Sequence, residues 1–160
     1  MNLEIRPVRP NDAKELRENI YSRDTLEQAS EIISQSIAGS KEGRIIHLVA
    51  LVDGHIAGNI KLIKKTHPFY KHRCELGDVV VNPAFQKRGI AHALFDEVKK
   101  HAKEHGFRIL ETGVRGGTPA ETVYRKLGFV EYSRLPNGIV ESWADGKEYD
   151  EVGLYMNITG

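Results

Sequence analysis

Two kinds of apolar repeat run along the chain, and together they predict an α/β fold. Stretches rich in Ile, Val and Leu predict β-strands, because such side chains fit a pleated, buried surface; they lie at about residues 3–8, 44–52, 57–64, 74–81, 109–114, 129–133 and 151–158. Apolar residues spaced by three and four predict helices at about residues 13–20, 25–38, 90–105 and 119–127. This order, β–α–α–β–β–β–α–β–α–β–β, predicts a mixed central sheet of about seven strands with flanking helices.

The most informative stretch joins the fourth predicted strand to the long helix that follows. Val79, Val80 and Val81 end the strand, and Pro83 cannot donate a hydrogen bond to a continuing sheet. The helix begins near Ile90 and ends at Gly106. At such a helix start the first backbone N–H groups have no partner within the helix, so they are free to bind a ligand.

These free N–H groups and the positive end of the helix dipole favour a bound anion, usually a phosphate. Gln86, Lys87 and Arg88 add donors and positive charge, and Gly89 allows the backbone to approach a ligand closely. We therefore interpret residues 86–91 as a pyrophosphate cradle. The alternative is an ordinary strand-to-helix turn whose basic residues are solvated.

Composition narrows the class of protein. The chain has 160 residues with a formal net charge of +1, which fits one domain over residues 1–160 and gives no electrostatic argument for nucleic-acid binding. No apolar run approaches the ~20 residues that cross a bilayer, and the N-terminus has no signal-peptide core. Cys74 is the only cysteine, so no intrachain disulfide is possible. We expect a cytoplasmic location.

Two motifs carry a resemblance to a known family. Residues 86–91, Gln-Lys-Arg-Gly-Ile-Ala, match the (Gln/Arg)-x-x-Gly-x-(Gly/Ala) signature of the GNAT superfamily of acyl-CoA-dependent N-acyltransferases. Residues 120–129 resemble its Ala-x-x-x-Tyr-x-x-x-Gly-Phe element. The resemblance covers nearly the whole chain and implies the GNAT fold, with acetyl-CoA as cosubstrate.

The resemblance also implies which residues hold CoA. The pantetheine arm would pair with the backbone of one strand end, the pyrophosphate would bind the cradle, and the second motif would contribute the rest; these residues are Val79, Val80, Val81, Gln86, Lys87, Arg88, Gly89, Ile90, Ala91, Thr118, Ala120 and Tyr124. One departure concerns the Asn that the family often places seven residues before its Tyr, which is Gly117 here. Thr118 either caps the next helix or takes over that contact.

Aminolysis of a thioester needs a base for the attacking amine and an acid for the leaving thiolate. By resemblance Tyr124 is the acid, and its alternative is a helix Tyr with its ring in the core. Glu75 is the candidate base, directly or through water, and its alternative is an exposed strand-end carboxylate. Strict alternation places Glu75, Gly77, Val79 and Val81 on one face of the strand, with Asp78 on the other.

The stretch at residues 136–147 resembles that of small-molecule acetyltransferases of the streptothricin-resistance type. Its Glu141, Trp143 and Asp145 would suit a cationic amine, and Asp145-Gly146 predicts a hairpin turn. The resemblance therefore implies acetyl transfer to a primary amine of a small molecule in a ternary complex. The alternatives are acetylation of a protein N-terminus or lysine, and a non-catalytic acyl-CoA sensor.

Partners and metals are less constrained by the sequence. Dimers are common in the family, so a homodimer is one assembly that the resemblance allows, while the acyl chain length stays open. Of the seven His residues, His101 and His105 have the spacing of a metal pair on a helix, but no acidic partner motif accompanies them. We therefore predict no metal. His67 and His72 either line the acceptor pocket or are solvated.

Overall fold

The computed structural model describes residues 1–159, which form seven strands and four α-helices joined by turns and short 3-10 segments. The strands are β1 (Leu3–Pro7), β2 (Ile45–Val52), β3 (His55–Lys64), β4 (Arg73–Val81), β5 (Ile109–Arg115), β6 (Val130–Glu141) and β7 (Lys147–Asn157). The helices are α1 (Ala13–Asn19), α2 (Leu26–Lys41), α3 (Ile90–Glu104) and α4 (Pro119–Lys126). The predicted α/β class, with about seven strands and flanking helices, is confirmed.

The chain divides into two compact units, of which the first is Met1–Phe107. Its sheet is antiparallel with the order β1-β2-β3-β4. Helices α1 and α2 pack through Leu16 and Ile33 against a buried cluster that includes Val49 and Ile56. Burying such side chains contributes about 1.5–3 kcal/mol each, so this cluster helps to stabilise the first unit.

Helix α3 lies unusually close to β3. A Cβ on Gly58 would lie 2.9 Å from Cδ1 of Leu94 and 3.0 Å from Cγ2 of Ile90. A methyl group at this position would require the side chains of Leu94 and Ile90 to move. Gly58 therefore lies against the first turn of α3, which carries part of the predicted cradle.

The second unit begins at Arg108 and contains an antiparallel sheet of order β5-β7-β6 with helix α4. Leu110, Phe129 and Leu154 are buried in it. Strands β6 and β7 form a long hairpin, and β6 is largely exposed. The single domain over residues 1–160 stays a prediction.

Two predicted boundaries were wrong, for different physical reasons. Helix α2 continues through Gly39 to Lys41, because Gly39 packs against Ile45 instead of ending the helix. The long connection predicted between Leu135 and Asp150 is mostly strand, with a break in the register between Leu135 and Ile139. The predicted turn at Asp145-Gly146 is confirmed, with both residues left-handed (φ 59° and 66°).

Among the helices described for residues 1–159, none is both long and apolar enough to cross a membrane.

Candidate active site

The turn between β4 and α3 is anchored by Asn82. Its side-chain oxygen accepts a hydrogen bond from the amide of Ala84 at 2.9 Å, and its side-chain nitrogen donates to the carbonyl of Asn19 at 3.0 Å. Its own amide donates to the carbonyl of Ala57 at 2.8 Å. These three bonds fix the point at which the chain leaves the sheet and enters the predicted cradle.

The cradle has the geometry of an anion site. The amide of Gln86 makes one long bond to the carbonyl of Pro83 at 3.4 Å, and its side chain donates to the carbonyl of Val81 at 3.2 Å. Within residues 1–159, the amides of residues 87–91 have no hydrogen-bond partner. Gly89 is the N-cap of α3 with φ 76°, and Lys87 is also left-handed with φ 63°. Free amides at the positive end of a helix are a binding site for a phosphate group.

Positive charge surrounds these amides. Lys87 and Arg88 are exposed, and the guanidinium of Arg88 lies 5.5 Å from the centre of the Phe85 ring. The side chain of Ile90 is buried and that of Ala91 is partly buried, so these two residues offer backbone to a ligand. The cradle thus fits a diphosphate on two observations, its free amides and its charge.

Strand β4 contains a β-bulge at Asp78, which the sequence alternation did not predict. Gly77 lies opposite Lys61, whereas Val80 lies opposite Asn59, so β4 carries one residue more than β3 in this interval. Asp78 absorbs the extra residue with φ 52°. The bulge reverses the alternation beyond it. Glu75 therefore shares a face with Gly77 and Val80, and the predicted common face with Val81 is wrong.

Two carboxylates project from β4, and each is paired with a lysine of the neighbouring chain segment. Glu75 is exposed and lies 3.3 Å from the ammonium of Lys65. Oδ2 of Asp78 lies 3.4 Å from the ammonium of Lys61 and accepts a hydrogen bond from the hydroxyl of Tyr21 at 3.2 Å. Burial, and then the negative charge of Asp78, raises the pKa of Tyr21 far above its usual value, so Tyr21 remains a donor.

A buried polar chain lies behind the bulge. The side chain of Asn59 donates to the backbone carbonyl of Asp78 at 2.9 Å and to the hydroxyl of Tyr21 at 3.3 Å. Nε2 of His47 lies 2.6 Å from Oδ1 of Asn59, and Nδ1 lies 2.7 Å from the hydroxyl of Ser36. Burial lowers the pKa of His47 to about 4, so its ring is neutral near pH 7.

The second motif forms helix α4 and the turn before it. Tyr124 is buried, with its ring edge-on to Phe129 at 5.4 Å between centres. The hydroxyl of Thr118 donates to the carbonyl of Arg115 at 2.6 Å and does not cap the helix. Glu121 accepts from the amide of Gly117 instead, at 3.0 Å. Ala120 lies exposed in the first turn of α4.

The residues considered for the acceptor divide into a paired and an exposed group. Glu141 is buried and lies 2.9 Å from the guanidinium of Arg115. A hydrogen bond from Tyr149, together with the bond from Arg115, lowers the pKa of Glu141. Its charge is therefore already neutralised, whereas Trp143 and Asp145 are exposed near the tip of the hairpin.

The two histidines considered for a metal bind their own helix. Nδ1 of His105 lies 2.8 Å from the carbonyl of His101, and Nε2 of His101 lies 3.5 Å from Glu97. Residues 1–159 contain no group of three or more His, Cys, Asp or Glu side chains placed to hold a metal ion. His67 accepts from the amide of Phe69 at 3.1 Å and stands within a local aromatic cluster.

Sequence reasoning missed the buried polar chain. Ser36, His47 and Asn59 occupy inward positions of otherwise apolar elements, and this contrast was the available signal. What the sequence did not contain was the direction of the side chains, which join three different elements only in the folded chain.

A family model described as the acetyltransferase (GNAT) family matches residues 11–129. A search of curated protein sequences found no significant match.

Solved structures resemble the whole chain. An acetyltransferase of the GNAT family from Streptococcus pneumoniae has 23% identity and a TM-score of 0.82, covering 99% of this chain and 100% of its own. The protein yncA from Salmonella typhimurium, solved with its cofactor acetyl-CoA, has 19% identity and a TM-score of 0.84, with coverages of 98% and 94%. A ribosomal-protein-alanine N-acetyltransferase from Brucella melitensis has 21% identity and a TM-score of 0.82, with coverages of 96% and 99%. At these identities the likeness shows a shared fold.

Proposed function

We infer the reaction from one premise: the chain belongs to the acetyltransferase (GNAT) family. It is accordingly an acyltransferase that uses acetyl-CoA. We propose that the acceptor is a primary amine of a small molecule, which attacks the thioester directly in a ternary complex. A cytoplasmic location and a homodimer stay predictions.

One observation carries the proposal, namely the five amides of residues 87–91 that have no partner within residues 1–159. In the proposed complex they bind the diphosphate of CoA, together with Gln86. The pantetheine arm runs along the backbone of Val79, Val80 and Val81, and the second motif contributes Thr118, Ala120 and Tyr124. This arrangement would hold the thioester in a fixed place and orientation, which is a large part of what catalysis of acyl transfer requires.

The chemistry then needs two proton movements. The amine loses a proton to Glu75, directly or through water, and its nitrogen attacks the thioester carbonyl. A backbone amide near Val81 stabilises the oxyanion of the tetrahedral intermediate. When the carbon–sulfur bond breaks, the thiolate of CoA leaves and takes a proton from the hydroxyl of Tyr124. A phenol with a pKa of about 10 is a suitable donor to a thiolate.

A small acceptor is supported by the long β6–β7 hairpin. Exposed Trp143 and Asp145 near its tip supply an aromatic face and a negative charge, both of which attract a cationic amine. Glu141 contributes less than the sequence implied, because Arg115 already pairs with it. Acetylation of a protein N-terminus or lysine is the competing outcome of the test below.

The test measures release of free thiol from acetyl-CoA with a panel of polyamines, aminoglycosides, amino acids, and peptides with a free N-terminus or lysine. We expect transfer to a small amine, a loss of roughly a hundredfold in kcat for Tyr124→Phe, and a shifted pH profile for Glu75→Gln. If the enzyme prefers peptides, the acceptor is a protein N-terminus or lysine and not a small molecule. Unchanged turnover of Tyr124→Phe at every pH would remove the proposed acid, and an unchanged profile of Glu75→Gln would remove the base.

A further inference from the structure

The bulge in β4 is a strained piece of backbone at the edge of the proposed pantetheine strand. Asp78 has φ 52° within a strand, a left-handed conformation that is uncommon for residues other than glycine, although Asp and Asn adopt it more readily than most. Strain of this kind persists only where the surrounding structure enforces it, and it is concentrated at functional sites. The three residues that follow are Val79, Val80 and Val81, so the bulge decides where their backbone groups point.

Asn59 is the residue that enforces the bulge. Its side chain is fully buried on the neighbouring strand and uses both of its N–H groups, one on the carbonyl of Asp78 and one on the hydroxyl of Tyr21. Tyr21 in turn donates to the carboxylate of Asp78. Asn59 thus holds the backbone of Asp78 directly and its side chain through Tyr21, while Lys61 pairs with the same carboxylate.

The orientation of that carboxamide is itself determined by His47 and Ser36. Because both N–H groups of Asn59 are in use, its oxygen must accept, so Nε2 of His47 carries the proton. Nδ1 of His47 then accepts from the hydroxyl of Ser36. All three side chains are at most 4% exposed, and within residues 1–159 no buried side-chain polar atom lacks a partner. A buried amide that turned over would leave donors and acceptors unpaired, which is unfavourable for each group.

We propose that the chain Ser36–His47–Asn59 is a positioning device that holds the Asp78 bulge, and with it the backbone of Val79–Val81, in the conformation that receives the pantetheine arm of CoA. The proposal rests on the proposed function, since it takes the pantetheine to lie along β4. Asn59 acts through the backbone of Asp78 and touches neither the thioester nor the amine.

The chain Ser36–His47–Asn59 affects binding of the pantetheine part of CoA and not binding of its diphosphate. The cradle at residues 86–91 is held separately, by the three hydrogen bonds of Asn82 and by the packing of α3 on Gly58. Loss of the Asn59 clamp therefore weakens the hold on pantetheine while the grip on the diphosphate remains. A general loss of stability would weaken both together.

The experiment is a calorimetric titration of each variant with two probes. One is CoA, and the other is 3′-phosphoadenosine 5′-diphosphate, which carries the same diphosphate and no pantetheine. For Asn59→Ala we expect roughly a tenfold loss of affinity for CoA, which corresponds to one or two hydrogen bonds, and less than a twofold loss for the second probe. Equal losses for the two probes, or none for either, would overturn the proposal.

Variants at Asp78 test the role of the bulge in CoA binding without creating a cavity in the core. Asp78→Gly removes the carboxylate but accepts the left-handed conformation, so CoA affinity should stay within twofold of the wild type. Asp78→Val introduces a β-branched side chain, which disfavours the left-handed conformation. This variant should therefore weaken CoA binding about as much as Asn59→Ala. The opposite order of these two variants contradicts the role of the bulge.

Tyr21→Phe is the matched control for the side-chain half of the network. It removes the bonds of the hydroxyl to Asp78 and Asn59 but leaves the bond from Asn59 to the backbone carbonyl, so the affinity for CoA should change less than twofold. If the wild type binds neither probe, the proposed function fails as a whole. If the wild type binds both probes and Asn59→Ala binds them equally well, only the positioning role fails.

Discussion

At the scale of single residues, burial keeps His47 in its neutral form. The ring is 4% exposed, and burial lowers its pKa from 6.5 to about 4. Above pH 6.5 the ring is neutral in both the folded and the unfolded chain. Between pH 6.5 and 4 the unfolded chain binds a proton that the folded chain does not, so stability falls as the pH falls.

We predict that His47 alone lowers the free energy of unfolding by about 3 kcal/mol between pH 7 and pH 4. His47→Gln keeps a donor toward Asn59 but does not titrate. The variant should be less stable than the wild type at pH 7, and the difference should shrink toward pH 4. Urea denaturation followed by circular dichroism at pH 4, 5, 6 and 7 measures both. A difference that stays constant over this range would show that the folded His47 titrates normally.

The residues of the cradle were foreseeable from the sequence, and those of the bulge were not. Gly89 stands between a strand pattern and a helix pattern, so local sequence alone predicts a turn there in which the backbone can approach a ligand closely. Asp78 precedes three valines in an apparently regular strand, and nothing local marks it as the extra residue. Its conformation is decided by Asn59, nineteen residues earlier in the chain.

At the scale of elements, the contact between α3 and β3 determines where the cradle lies. The first turn of α3 packs through Ile90 and Leu94 against Gly58, leaving no room for a methyl group. Which residues of α3 lie against Gly58 is decided only in the folded chain. The hydrophobic spacing of α3 predicts which face is buried, while the distance between helix and sheet follows from the packing of both.

We predict that Gly58→Ala destabilises the protein by about 1–3 kcal/mol, because the new methyl group must displace the packed side chains of Ile90 and Leu94. Denaturation at equilibrium gives this value, and a titration with CoA should show weaker binding, since the first turn of α3 carries the cradle.

Gly113→Ala in β5 is the matched control for this prediction. It also places a methyl group in a strand, but no atom lies within 4 Å of the added carbon. Its stability should change by less than about 0.5 kcal/mol or increase slightly. Equal effects of the two variants would mean that strand propensity, and not the contact with α3, explains the loss.

At the scale of the whole molecule, the two motifs lie in different units of the chain. The cradle belongs to the unit Met1–Phe107, and Tyr124 belongs to the unit that begins at Arg108. The family was recognisable from the sequence because each motif is short and local. The acceptor was not recognisable from the sequence, because the hairpin side chains that are available to bind it depend on the contacts they make in the folded chain. Glu141, for example, is already paired with Arg115.

We predict that CoA at a hundred times its dissociation constant stabilises the folded chain by about 2.7 kcal/mol and raises Tm by about 5 to 10 °C. Gly89→Ala should show a smaller rise at the same CoA concentration, because the left-handed N-cap is strained by a Cβ. Gly106→Ala is the matched control, with φ 80° at the other end of α3 and no proposed ligand. It should lose similar stability without CoA and keep the full rise. Equal rises in both variants would contradict the cradle.

The exposed tryptophan near the hairpin tip also allows ligand binding to be followed by the protein's own fluorescence. Trp143 is the sole tryptophan and is 70% accessible to water, so its indole emission should change little when the chain unfolds. Iodide should quench it almost equally in both states. A change in that emission on adding an amine to the CoA-loaded protein would therefore signal docking beside the indole, and it would do so without a chemical label.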